Sequence, residues 1–170
     1  LVVGETYILR ETTAPKGYAV ATEIEFTVLD DFQIQTVTMK DKQVFVSKKS
    51  VTGEDELPGA KLTVTDAETN KVVDKWTSGK DEHAVENLVV GKEYVLTEVT
   101  APKGYAIATS IKFTVLDDFK VQKVEMLDKQ VFVHKTDVTG EAELPNAKLE
   151  VINKATKEIV DSWTSGKEEH

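Results

Sequence analysis

Residues 94–115 read YVLTEVTAPKGYAIATSIKFTV. Side chains on a strand alternate between its two faces, so Tyr94, Leu96 and Glu98 share one face. The Pro102-Lys103-Gly104 turn then interrupts the run. Beyond it, Ile111, Phe113 and Val115 alternate with Lys112 and Thr114. Two half-buried strands around a Pro/Gly turn are what this pattern predicts. The same period of two recurs in Ile24, Phe26, Val28 against Glu25 and Thr27, and in Ala60, Leu62, Val64 against Lys61 and Thr63. Turn chemistry separates these runs at Thr52-Gly53, Pro58-Gly59, Thr69-Asn70, Val90-Gly91 and Asp117-Asp118. No stretch has a convincing helical period. The fold class is all-β, and strands this short and this closely spaced predict a small β-sandwich.

The chain is also a repeat. Leu1–His83 aligns without gaps on Leu88–His170, a shift of 87 residues, with about two thirds of the aligned positions identical. Thr-Ala-Pro-Lys-Gly-Tyr at 13–18 returns at 100–105, and Trp-Thr-Ser-Gly-Lys at 76–80 returns at 163–167. A natural start is the strand carrying Lys48 and a natural end the strand carrying Asp128. On that frame residues 44–130 are one complete domain, 1–43 the C-terminal half of a preceding one, and 131–170 the N-terminal half of a following one. Each half exposes a strand edge and a cut core, and is expected to be unstable alone. The chain opens on Leu1, not Met, and is expected to be a piece of something longer.

Composition narrows the classes. Of 170 residues, 40% are hydrophobic and 30% charged, as in a globular protein with a core. The formal charge of −9 argues against nucleic acid and anionic membrane as partners. No apolar run is long enough to span a bilayer. Cysteine is absent, so disulfides and thiolate metal sites are excluded, and any covalent reinforcement must use other chemistry.

The anomaly lies at the ends of three apolar rows. Val44 and Val46 lead to Lys48, Tyr94 and Leu96 lead to Glu98, and Val124 and Met126 lead to Asp128. Their counterparts are Val131, Val133, Lys135, then Tyr7, Leu9, Glu11, and Val37, Met39, Asp41. A lysine, a glutamate and an aspartate are thus aimed at a dry interior, at a cost of several kcal/mol each unless they pair, neutralise or react. If the first and last strands lie side by side, lysine and aspartate meet beside the glutamate. A dry site favours uncharged forms. A neutral amine is a nucleophile, and a protonated carboxyl can polarise the aspartate carbonyl and move protons. Held together, they would form a side-chain amide and release water. The plainer alternative is a buried ion network with no bond.

These residues resemble the B-type immunoglobulin-like (CnaB-type) repeats of Gram-positive surface adhesins and pilins, the family from which the SpyCatcher/SpyTag pair was derived. The resemblance covers the whole chain. It is carried by Ser47-Lys48, Glu56-Leu57-Pro58-Gly59-Ala60, Tyr94-x-Leu96-x-Glu98, Ala101-Pro102-x-Gly104-Tyr105 and Met126-Leu127-Asp128. It implies tandem prealbumin/immunoglobulin-like β-sandwich domains. It also implies an isopeptide bond between Lys48 and Asp128 with Glu98 as the catalytic carboxyl, and Lys135, Glu11 and Asp41 in the same roles in the partial copies. Many relatives use asparagine where this chain has aspartate, so water rather than ammonia would leave here. Asn146 stands where Gly59 stood, a turn substitution.

Other candidates read more plainly. Lys49 has the wrong parity, and its counterpart is Thr136. His83, His134 and His170 lack ligand spacing, with His134 expected on a solvated strand. Asp30-Asp31 and Asp117-Asp118 could suggest calcium but are expected to be hairpin turns. Trp76 and Trp163 are expected to pack or guard an edge. No cofactor and no metal are expected.

The function expected is a structural stalk repeat of a cell-wall-anchored adhesin or fimbria, extracellular and not an enzyme beyond one intramolecular turnover. Its partners would be neighbouring repeats or other copies of itself. Head-to-tail assembly would let Lys135 meet Glu11 and Asp41 of another molecule. Host matrix would be reached through another part of the protein. The alternative is a repeat that itself binds matrix or another cell. The outward Lys, Glu, Thr and Asp residues favour the spacer. A polymerising pilin would call for a sorting signal and an acceptor lysine motif, neither legible here.

Overall fold

The computed structural model describes residues 1–118 and 120–170. Two compact units form, Leu1–Gln130 and Val131–His170. The elements are all β: β1 Thr6–Leu9, β2 Ile24–Thr27, β3 Val44–Ser50, β4 Lys61–Asp66, β5 Val72–Thr77, β6 His83–Ala84, β7 Glu93–Thr100, β8 Ile111–Thr114, β9 Gln122–Asp128, β10 Lys148–Ile152 and β11 Ile159–Thr164.

In the first unit, residues 44–128 build two sheets with strand orders β5-β4-β7-β8 and β6-β3-β9. Their inward rows form one apolar core. Val44, Val46, Val124 and Met126 come from one sheet, and Leu62, Val64, Tyr94, Leu96 and Phe113 from the other. The alternation read from the sequence is the physical cause, since each strand has one apolar face to remove from water. A fully buried Val, Leu or Met contributes about 1.5–3 kcal/mol. β3 and β9 pair in parallel, with Lys48 opposite Met126 and Ser50 opposite Asp128. The first and last strands of the sandwich are therefore neighbours running the same way, and everything between them is one long crossover.

The connections follow the turn residues. Tyr105 N–H donates to the Pro102 carbonyl at 3.1 Å, and Gly104 sits at φ +86 within that turn. A Cβ would be strained there. Asn146 adopts φ +69 where Gly59 has φ +98, a conformation asparagine tolerates better than most side chains.

Three expectations are corrected. Asp117-Asp118 does not turn a hairpin. The strand before it, β8, lies in one sheet and the strand after it, β9, in the other, so this segment crosses between sheets. The rows Val37-Met39-Asp41 and Val131-Val133-Lys135 form no strand, and with the latter His134 lies outside any strand. In the sandwich of residues 44–128 the matching rows, β9 and β3, hydrogen-bond to each other. Each partial copy holds only one of the two, and a strand without its neighbour has no ladder to complete.

What the partial copies keep is their hairpins. β1 pairs with β2 in the register of β7 with β8. β10 pairs with β11 in the register of β4 with β5, including the bulge. Trp76 is half-buried on the edge strand β5 and stacks on His83 with ring centroids 4.0 Å apart; Trp163 and His170 do the same.

Candidate functional site

The Lys48, Glu98 and Asp128 side chains converge inside the sandwich. Their relative exposures are 1%, 3% and 0%. Lys48 Nζ contacts Asp128 Oδ1 directly and lies 3.2 Å from Glu98 Oε1. Parallel register explains the first contact. Asp128 is two residues beyond the partner of Lys48, on the same face, within reach of a long lysine side chain. Glu98 reaches in from β7 of the opposite sheet. A bulge sits beside it, where Lys61 pairs with Thr100 and Leu62 with Glu98, leaving Val99 unpaired against β4. Bulges of this kind re-aim a side chain.

The site is held by the backbone around it. Glu98 Oε2 accepts the Ala108 N–H at 2.7 Å, which fixes the carboxyl to the segment after the Ala-Pro turn. Glu56 clamps the lysine strand. Its Oε2 accepts the Lys48 N–H at 2.8 Å, its Oε1 is 2.5 Å from Ser47 Oγ, and the Lys48 carbonyl accepts the Leu57 N–H at 2.6 Å. Two buried side-chain polar atoms among the described residues lack a hydrogen-bond partner, Glu98 Oε1 and Asp128 Oδ2. Both belong to this trio. Buried oxygens are rarely left so, though Glu98 Oε1 keeps its ion pair with Lys48. The arrangement holds an amine against one carboxyl carbon with a second carboxyl alongside.

The counterparts are not assembled in this way. Glu11 keeps its local bond, accepting the Ala21 N–H at 2.8 Å. Lys135 keeps its own, donating its N–H to Glu143 Oε2 at 2.9 Å, while its Nζ donates to the Thr136 carbonyl at 3.3 Å. That backbone N–H holds the Glu143 carboxyl below the usual range, with His134 adding to the effect. Asp41 lies half-buried outside any strand. Lys49 faces away from the trio, 3.8 Å from Glu125. His83 Nε2 donates to Asp74 Oδ2 at 2.8 Å rather than joining the site.

Sequence reading missed the roles of Glu56 and of the Ala108 N–H. A signal for both was present. Glu56 recurs as Glu143 and Ala108 as Ala21, at unchanged spacing from the lysine and the glutamate.

The SpaA prealbumin-like fold domain matches residues 1–43 and 42–130, and the chain belongs to that family. No curated protein matches it. Among solved structures, the TIE protein of Bacillus anthracis is 23% identical over 94% of this chain and 32% of its own, with a TM-score of 0.40. The group B streptococcus pilus 2b backbone protein is 21% identical over 71% of this chain and 52% of its own, with a TM-score of 0.47. A mutant of the shaft pilin SpaA from Lactobacillus rhamnosus GG is 13% identical over 75% of this chain and 63% of its own, with a TM-score of 0.44. The chain thus spans only part of the length of each.

Proposed function

We propose that this chain is a structural stalk segment of a Gram-positive surface adhesin or pilus, stiffened by an isopeptide bond between Lys48 and Asp128. The observation that carries this is the meeting of Lys48, Glu98 and Asp128 in a dry core, between the first and last strands of the sandwich. In the reaction, Nζ gives up one proton, attacks Asp128 Cγ and loses a second proton as the amide forms. Glu98, in its acid form, donates a hydrogen bond to the carboxyl oxygen and stabilises the charge that develops there. The C–N bond forms, one C–O bond breaks, and the departing oxygen takes two protons to leave as water. Glu98 relays them and ends as it began. The product removes a buried opposite-charge pair.

The mechanical consequence follows from topology. Tension enters the domain at the start of β3 and leaves at the end of β9. Because the two strands are parallel neighbours, it would shear one past the other. A covalent link between residues 80 positions apart carries that load and bypasses the chain between them. Residues 44–130 act as the complete domain in this reading, with 1–43 and 131–170 as halves of its neighbours. In an array Lys135, Glu11 and Asp41 would each find such partners, in the same chain or in another copy. Localisation outside the cell and the absence of turnover on other molecules belong to the same reading.

The test is intact mass after full denaturation. A deficit of one water that disappears in Lys48→Ala and in Glu98→Ala is expected. An unshifted mass would leave a buried ion network and overturn the crosslink.

A further inference from the structure

Residues 17–22 of the first copy are laid against the second. Val20 donates its N–H to the Leu88 carbonyl at 2.8 Å, and its own carbonyl accepts the Val90 N–H at 3.0 Å. Ala19 is buried in the sandwich core and donates to the Lys42 carbonyl at 2.8 Å. Lys42 is itself buried, and its ammonium meets the Asp118 carboxylate. The Thr22 hydroxyl is 3.0 Å from Asp117 Oδ2. Two short segments joined by a backbone bridge, one buried cation and two acidic residues therefore join one repeat to the next.

Both sides of this junction occur a second time, unjoined. On one side Ala106 donates to the Lys129 carbonyl at 2.9 Å, as Ala19 does to Lys42. Yet Ala106 and Lys129 are exposed, and Ile107, the counterpart of Val20, is 61% exposed. On the other side Leu1, Val2, Val3, Asp30 and Asp31 stand where Leu88, Val89, Val90, Asp117 and Asp118 stand. Val2 N–H is already held by the Tyr7 hydroxyl at 2.7 Å, as Val89 is by Tyr94 at 2.9 Å. Leu1 is 86% exposed, whereas Leu88 is fully buried.

We propose that Ala106, Ile107 and Lys129 form a docking surface for a second copy of this repeat. The Leu1–Val3 edge of that copy pairs with the Ile107 backbone, its Asp31 takes the Lys129 ammonium, and its Asp30 takes the Thr109 hydroxyl. The Ile107 side is carried by the sandwich and the Leu1–Val3 side by the β1–β2 hairpin, so the chain that association orders is chiefly that hairpin. The strand contacts are backbone and nearly indifferent to sequence. The Lys129–Asp31 pair supplies selectivity, because a lysine buried without its carboxylate is strongly disfavoured.

This rests on the reading of the chain as tandem repeats, but not on the crosslink. The test is sedimentation velocity of the 170-residue chain over rising concentration, with the intact mass of each sample recorded. Concentration-dependent oligomers are expected. Lys129→Asp or Asp31→Lys, both at exposed positions, should each weaken association about tenfold or more, equivalent to about 1.4 kcal/mol. An equimolar mixture of the two variants should regain it, since the exchanged charges then face each other across the junction with opposite sign. A monomer at every concentration overturns the proposal, as does association that neither substitution alters or that the mixture fails to restore. The mass deficit reports separately on Lys48 and Asp128, so loss of either result leaves the other interpretable.

Discussion

The two-sheet sandwich of residues 44–128 and the hairpins β1–β2 and β10–β11 on either side of it come from aligned stretches about two thirds identical, yet they differ in what they build. Their hairpins have the same registers. Glu11 makes the bond Glu98 makes, and Lys135 the backbone bond Lys48 makes. Among the described residues, only the sandwich of residues 44–128 pairs β3 with β9, and Lys48, Glu98 and Asp128 meet there while their counterparts do not. Local sequence is enough for a hairpin and its turn. The reactive geometry needs strands far apart in the chain to become neighbours.

Hydrogen exchange tests that contrast most severely. In dilute solution the amides of β7 and β9 should exchange only through global opening, at a cost of about 5 kcal/mol or more. Those of β1–β2 and β10–β11 should exchange at nearly unfolded rates. Equal protection in β1 and β7 would show that the halves are stable alone.

Next in size is the covalent link. Closing a loop of 80 positions should stabilise the folded domain by about 4 kcal/mol on the chain-entropy account used for disulfides. Glu98→Gln, which keeps shape and hydrogen-bonding capacity, should remove the mass deficit and lower Tm by many degrees. Glu11→Gln should leave both unchanged. A Glu98→Gln chain with the deficit intact would remove the glutamate from the chemistry.

The Glu56 clamp sharpens the comparison further. Glu56→Ala leaves the Lys48 N–H and Ser47 hydroxyl without their partner and should cost about 1–3 kcal/mol by thermal or denaturant unfolding. Glu143→Ala, which removes the matching bond in a partial copy, should move the same transition by under about 0.5 kcal/mol. Equal effects would mean that the second unit folds with the first.

The smallest effect expected is one of pH. The hydrogen bond from Lys42 holds the Asp118 carboxyl below the usual carboxylate range, helped by the Lys120 N–H. A depressed folded-state value means the contribution is complete above the unfolded carboxylate value of about 4 and is lost as pH falls through the folded one. The Tm difference between the wild-type chain and Asp118→Asn should be present at neutral pH and shrink as pH drops below about 4. A difference that stays constant would show that the carboxylate's charge plays no part in the junction.

Much of this is legible in the residues. Period-two alternation gives each strand of the sandwich an inward face, and the charge ending each apolar row marks Lys48, Glu98 and Asp128 as core residues. What misleads is treating every row as a strand wherever it occurs. Val37-Met39-Asp41 has the same alternation as Val124-Met126-Asp128, but its pairing partner is not beside it. The acidic pairs mislead for a related reason. Asp117-Asp118 looks like a tight turn in isolation, and only the assignment of β8 and β9 to different sheets makes it a crossover whose carboxylates meet Thr22 and Lys42.

Residue order alone settles the β class, the repeat and the inward face of each sandwich strand, because these are read from local alternation and direct alignment. The assembled fold decides that β3 and β9 run parallel side by side and that Glu98 reaches Lys48 across the core. It also decides that Glu56 grips the lysine strand and that one repeat latches onto the next. Those outcomes depend on contacts between distant segments, whose closure entropy is offset only once a whole core forms around them.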